Sequence, residues 1–334
     1  MTVFVLDHFY LLITLLITVG YQLSGFFIAW TLQFDKITDL TGGSNFFILA
    51  LITLLFGDTY HARNIVASVL QMIWAVRIAG FLLFRVLKTG SDTRFDDIRS
   101  NFFMFLGFWV AQILWVWVVS LPVIILNSPA VSRAPGGNPA FGTAGDIIGI
   151  ILWAIGWLIE TISDAQKYRF KASKPPKDRV ADIGLWNWSR HPPYFGEICC
   201  WWGIWALCLS PTMNGNLPHH AKSAQYGAIV SPLFTMIVLI FGSGLPPAEK
   251  PTAERYYLLT YGPESKPETA RAWSNYVRYR NTTSILVPLP PSLYARLPQW
   301  IKIGLFELPM FHFDEEVEGP KAIEKAKAKA SENA

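Results

Sequence analysis

The chain has 334 residues, of which 52% are hydrophobic and only 16% charged, and its formal net charge is +4. Ordinary soluble domains carry roughly 25% charged residues, so composition excludes a soluble protein, and so modest a charge gives no basis for a nucleic-acid partner. Mean hydropathy is +0.31, and fourteen Trp with 23 Phe suit a chain whose aromatic rings sit at membrane–water boundaries.

The first apolar run, Phe9–Trp30, lacks a basic leader and an A-x-A cleavage site and is long for a signal peptide, so it reads as a transmembrane helix. Asn45–Phe56, Ile65–Leu87, Phe102–Leu126, Asp146–Ile162, Tyr194–Leu209 and Tyr226–Gly242 follow. Several approach the ~20 residues needed to cross a bilayer; the second and sixth are short. If all seven cross, one set of loops carries Lys36, then Lys88, Arg94 and Arg99, then the basic stretch from Lys167 to Arg190. The opposite loops carry only Arg63, Arg133 and Lys222. The positive-inside rule then places the N-terminus outside and the C-terminus in the cytoplasm. The expectation is an all-α, polytopic membrane helix bundle of about seven transmembrane helices.

In this scheme residues 1–245 form the bundle, with a cytoplasmic loop at 163–193. Residues 246–313 form a cytoplasmic cap broken by Pro246, Pro247, Pro288, Pro290, Pro291 and Pro298. Within the cap, Tyr294–Phe313 mixes apolar and charged residues as a segment at the membrane surface does. Residues 314–334 read as a charged, solvated tail, helical or disordered. The cysteines Cys199, Cys200 and Cys208 are odd in number and lack a CxxC pair, so neither a disulfide framework nor a metal site is expected.

Ionisable or amide side chains inside spans are the usual pointers to chemistry. Here Gln71, Arg77 and Gln112 are the candidates, although a glutamine on a helix face more often bonds a neighbouring helix. The dense polar chemistry lies instead between Asp164 and Glu197, where Gly184 opens the run GLWNWSRHPPYFGE. Pro192 and Pro193 stop any helix from running through from upstream, so the span begins at about Tyr194 with the proline pair ahead of it. Such a start, with Lys and Arg ahead of it, favours an anionic ligand. The bland reading is that these basic residues only set topology.

The runs SRHPPYFGEI and DAQKYRFK, the later TSILVPLPPSLY and the earlier GSDTRFDDIRSNFFMFLGFW resemble the steroid 5α-reductase-like membrane reductases, in particular the DUF1295 branch. The resemblance covers residues 40 to 312, and its motifs specify the superfamily more closely than the substrate. It implies a seven-helix bundle that uses NADPH to reduce a carbon–carbon double bond conjugated to a carbonyl, in a sterol or other lipid. It assigns Asp164, Lys167, Trp186, Arg190, His191, Tyr194, Glu197, Arg278 and Arg280 to the cofactor site. Hydride addition would build negative charge on the carbonyl oxygen, which a preorganised donor stabilises. The Gln-Glu pair and Tyr that steroid-reducing members place in their second and third spans are missing, so the catalytic donor stays unassigned.

The chief rival is a membrane methyltransferase of the isoprenylcysteine carboxyl type, which resembles the Arg190–Tyr194 element and binds S-adenosylmethionine. A non-enzymatic lipid transporter or sensor is a third reading. The implied partners are the bilayer and a hydrophobic small molecule, with no obligate protein partner. The expected location is a multi-pass membrane protein, in the endoplasmic reticulum if the chain is eukaryotic.

Overall fold

The polar side chains of the apolar helices explain how those helices pack. In α1, Leu11–Thr31, Thr14 and Thr18 return their hydroxyls to the carbonyls of Tyr10 and Thr14. This hides a polar group inside the helix that carries it. Thr53 does the same in α2, Thr38–Gly57. The structure, a computed structural model, describes residues 6–33, 37–89 and 98–332. Lys36 and the whole GSDTRFDD run, Arg94 included, lie outside the described residues.

The remaining helices are α3 (Ala62–Thr89), α4 (Phe102–Asn127), the single turn α5 (Pro129–Ser132), α6 (Ala144–Ala172), α7 (Pro192–Cys208), α8 (Ser210–Asn214), α9 (His219–Gly227) and α10 (Val230–Phe241). They are followed by α11 (Leu245–Tyr261), α12 (Ala272–Thr282), the turns α13 (Pro291–Tyr294) and α14 (Gln299–Ile301), and α15 (Glu318–Glu332). Among the described residues, six helical stretches are long and apolar enough to cross a membrane: Leu11–Thr31, Thr38–Gly57, Ala62–Arg85, Phe102–Ser132, Ala144–Ala172 and a run within His219–Tyr261. The protein is an all-α, multi-pass membrane bundle. The expected sixth span corresponds to α7, whose 17 residues rise about 26 Å, just short of the ~30 Å hydrocarbon core. The second span is longer than its apolar run, because Thr38–Ser44 join the helix ahead of Asn45.

The chain divides into two compact units, residues 1–155 with 199–235 and residues 156–198 with 236–334. In the first, the Phe46 ring packs on Trp74, Trp115 and Trp201 at centroid distances of 5.2, 4.8 and 5.4 Å. Gln71 donates to the Phe46 carbonyl and to Ser120, at 3.0 and 3.2 Å. Gln112 donates to Gln22 at 2.8 Å, and Gln22 to Asn45 at 3.0 Å. Arg77 is half-buried on α3. Two of the three candidate catalytic side chains thus tie helices together, as glutamines in apolar bundles tend to do.

The Gly/Pro-rich connector before α6 is pinned by buried Arg63. Its fork meets Asp146 at 2.7 and 2.8 Å and also bonds Asn138. Helices α6 and α7 touch backbone to backbone. A Cβ on Gly203 would lie 2.6 Å from the Gly149 carbonyl oxygen and 2.6 Å from the Trp153 nitrogen, so only glycine fits there.

The second unit has an aromatic core of its own, in which Tyr256, Trp273, Tyr276, Tyr279 and Phe313 pack with Val180. Rings Tyr256 and Tyr276 stack at 5.2 Å. The charged tail is helical, as α15. It is not wholly solvated, because Ala322 enters this core and Glu318 pairs with Lys250 at 2.9 Å.

Candidate cofactor site

The SRHPPY and TSILVP runs are distant in sequence but adjacent in space. Arg190 N–H donates to the Ser284 carbonyl at 2.9 Å, Leu289 N–H to the Trp188 carbonyl at 2.9 Å, and the Ser189 hydroxyl to the Leu286 carbonyl at 2.8 Å. A short parallel bridge joins Ser189 to Ser284. Helix α7 then starts at Pro192, two residues before the expected Tyr194. Proline is preorganised for a first helical position and needs no donor there.

Side chains converge on Arg190, which is only 4% exposed. Its Nη1 and Nη2 grip Glu307 at 2.8 and 2.9 Å. Nε and Nη2 reach Glu249 at 3.3 and 3.1 Å. Nη1 also donates to the carbonyls of Thr283 and Arg280, at 2.9 and 3.2 Å. Glu307 accepts further bonds from the Tyr294 hydroxyl at 2.6 Å and from His312 at 2.8 Å. Burial pushes the Glu307 carboxyl up, but hydrogen bonds from His312, Arg190 and Tyr294, with the Arg190 charge, outweigh it and hold it below the usual range. The guanidinium stays charged throughout: burial works against it, and the two carboxylates more than compensate.

His191 is buried, with Nε2 at 2.6 Å from Glu249 Oε1. Its ring stacks on Tyr194 at 5.1 Å with 5° between planes. Burial lowers its pKa more than Glu249 raises it, and the Arg190 and Lys167 charges add to the lowering. A neutral imidazole facing a carboxylate donates through Nε2, which leaves Nδ1 as an acceptor.

Upstream, Gly184 has φ +52° and lies against the Gln166 side chain, which a Cβ would strike. The Gln166 side-chain oxygen accepts from Leu185 N–H at 2.9 Å. This turn presents Trp186, whose indole donates to the Ser163 carbonyl at 2.8 Å and whose carbonyl accepts from Tyr279 at 2.5 Å. The Lys167 ammonium lies 3.9 Å above the Trp186 ring, a cation–π contact. Asp164 and Glu197 are half-buried and have partners within the chain.

A cleft of about 570 Å³ opens in the same unit, lined by Arg179, Arg278, Asp178, Asp182, Asn187 and Tyr279 among others. Asn275 ties one wall by donating to the Asp178 carbonyl at 3.2 Å. Of the two C-terminal arginines in the sequence-based set, Arg278 faces this cleft, whereas Arg280 lends its carbonyl to Arg190. Among the described residues no group of three or more His, Cys, Asp or Glu side chains could hold a metal ion.

A family model described as "Protein of unknown function (DUF1295)" matches residues 25–261. The chain belongs to the DUF1295 family. No curated protein and no solved structure matches it. The DUF1295 match contains Lys167, Trp186, Arg190, His191 and Glu249 but ends before Arg278, Tyr294, Glu307 and His312. The counter-charges Glu249 and Glu307 and the cleft residues Asp178 and Asp182 were given no site role from the sequence, and Arg179 counted only as one of the basic residues ahead of Pro192. A buried arginine demands a carboxylate, but nothing local to Arg190 says which distant glutamate supplies it.

Proposed function

We propose that this protein is a membrane oxidoreductase that reduces a carbon–carbon double bond conjugated to a carbonyl, in a sterol or other lipid, at the expense of NADPH. The observation that carries this reading is the cleft in the second unit, where two guanidinium groups and two carboxylates share one opening with Asn187 and Tyr279. Guanidinium forks match phosphate oxygens, and carboxylates accept the hydroxyls of a ribose. The donor set therefore fits a phosphorylated dinucleotide. Arg179 and Arg278 would hold its phosphates, and Asp178 and Asp182 its sugar hydroxyls.

When bound, NADPH supplies the hydride. The chain's own residues do the rest. Arg190 is a positioning residue, because its donors are taken up by Glu249, Glu307 and two carbonyls. It fixes the start of α7 against the 283–289 segment. His191 offers a neutral Nδ1, and the apolar spans suit a lipid substrate shielded from water. In this reading the second unit faces the cytoplasm, and in a eukaryote the membrane is that of the endoplasmic reticulum.

The test is equilibrium binding of NADPH, NADH and S-adenosylmethionine to detergent-solubilised protein, repeated with Arg179→Ala and Arg278→Ala. Selective NADPH binding that weakens in both variants is expected. Binding of S-adenosylmethionine instead would overturn the reading in favour of a methyltransferase. Binding of none of the three would return it to a lipid transporter or sensor.

A further inference from the structure

Residues 291–313 run as a strap along the second unit, and their two sides differ sharply. The inner side is pinned. Tyr294 is buried and donates to Glu307, Glu307 grips Arg190, and Ile285 N–H donates to the Phe306 carbonyl at 3.1 Å. Phe313 enters the aromatic core. Lys302 turns inward, its ammonium 4.7 Å from the Tyr294 ring.

With the backbone held this way, the large apolar side chains on the other side have nowhere to go but out. Trp300 is 75% exposed, Met310 61%, Leu293 50% and Ile303 47%. Trp300 and Ile303, three residues apart across a helical turn, share a face. Exposed Arg296 lies between Leu293 and Trp300, and the strap's only acidic residue, Glu307, is buried. Within residues 291–313, exposed apolar side chains occur with exposed Arg296 and without an exposed carboxylate, the composition of a contact surface.

We infer that this strap docks on the membrane surface, with Trp300, Ile303 and Met310 at the headgroup–acyl boundary and Arg296 at the lipid phosphates. Tryptophan favours that boundary, and basic side chains are drawn to anionic headgroups. The chain carries its own membrane-spanning helices, so the bilayer is always at high effective concentration and a weak contact suffices. The inference does not depend on what the cleft binds.

The test uses the full-length protein in phospholipid vesicles, compared with Trp300→Phe so that the difference emission reports Trp300 alone. The substitution exchanges an exposed indole for a smaller phenyl ring, so the fold is retained. Trp300 emission is expected to be blue-shifted, to lose most of its intensity when the lipids carry brominated acyl chains, and to resist aqueous iodide. Quenching by iodide but not by brominated lipid would overturn the inference by placing the strap in water. Protection from both quenchers would also overturn it, and would assign the patch to a protein partner or a second copy of the chain.

Discussion

Replacing Arg190 with Met tests whether the guanidinium is a structural keystone. The apolar replacement fills much of the volume but leaves Glu249 and Glu307 buried without their cation, along with two carbonyls that it satisfied. Removing one partner of a buried ion pair costs about 3–5 kcal/mol. The two pairs share one guanidinium, and each glutamate keeps other donors: His191 for Glu249, and Tyr294 and His312 for Glu307. The cost should therefore stay near that range rather than double. For a unit of this size each kcal/mol moves the midpoint by about 2–4 °C, so a fall of about 6–20 °C is expected. The assay is thermal denaturation of the cofactor-free, detergent-solubilised protein. The triple variant Arg190→Met, Glu249→Gln, Glu307→Gln should recover most of the loss, since it removes the stranded charges as well. A single variant within about 2 °C of wild type, or a triple variant no better than the single, would refute the reasoning.

Acid should destabilise the second unit. The folded pKa of His191 lies below its unfolded value, so stability starts to fall as pH drops below about 6.5; the depressed Glu307 contributes fully above about 4.3 and is lost as pH falls through its lower folded value. Melting curves from pH 8 downward should show a monotonic decline; a midpoint that rises between pH 7 and pH 5 would contradict the His191 assignment, and one that does not fall further below about pH 4.3 the Glu307 assignment. Gly203→Leu should abolish recovery of monodisperse protein, because the new side chain meets backbone rather than movable side chains and overpacking costs at least about 1–3 kcal/mol; normal size-exclusion behaviour would show that α6 and α7 are not in backbone contact. Arg278→Ala should weaken NADPH about 10-fold or more, the worth of a charge-assisted hydrogen bond, without shifting the cofactor-free melting midpoint; unchanged affinity by titration would remove Arg278 from the site.

What could be read from the sequence depended on whether the signal was local. Apolar runs mark spans without knowledge of partners, so α1, α3 and α4 stand close to their sequence-based limits. The start of α2 was hidden because Thr38–Ser44 are small or polar, and their helicity comes from packing, with Thr41 and Ser44 returning their hydroxyls to Ile37 and Leu40. The motif from Gly184 to Glu197 was visible as composition and as a double proline. Its partners were not, because Glu249 is 59 residues and Glu307 117 residues from Arg190 along the chain. Neither glutamate has a neighbourhood distinguishing it from a surface carboxylate. The cleft was invisible for the same reason, since Asp178 and Arg278 belong to one wall only after folding.

A buried guanidinium between two carboxylates is a poor way to gain stability, since desolvating three charges offsets most of their attraction. What such a cluster can supply is specificity of arrangement. Glu249 comes from α11, Glu307 from the strap, the Thr283 carbonyl from the end of α12, and Arg190 from the residues just before α7. Each bond from the rigid fork addresses a different segment, which an apolar side chain could fill against but not orient. We therefore take the cluster as the device that sets the walls of the neighbouring cleft, because Tyr279 and Asn187 lie within a few residues of the segments it joins. The triple variant separates the two roles: it should melt near the wild-type midpoint yet bind nucleotide more weakly than wild type. Full nucleotide affinity in that variant would show that apolar packing alone fixes the cleft and that the charges are incidental to it.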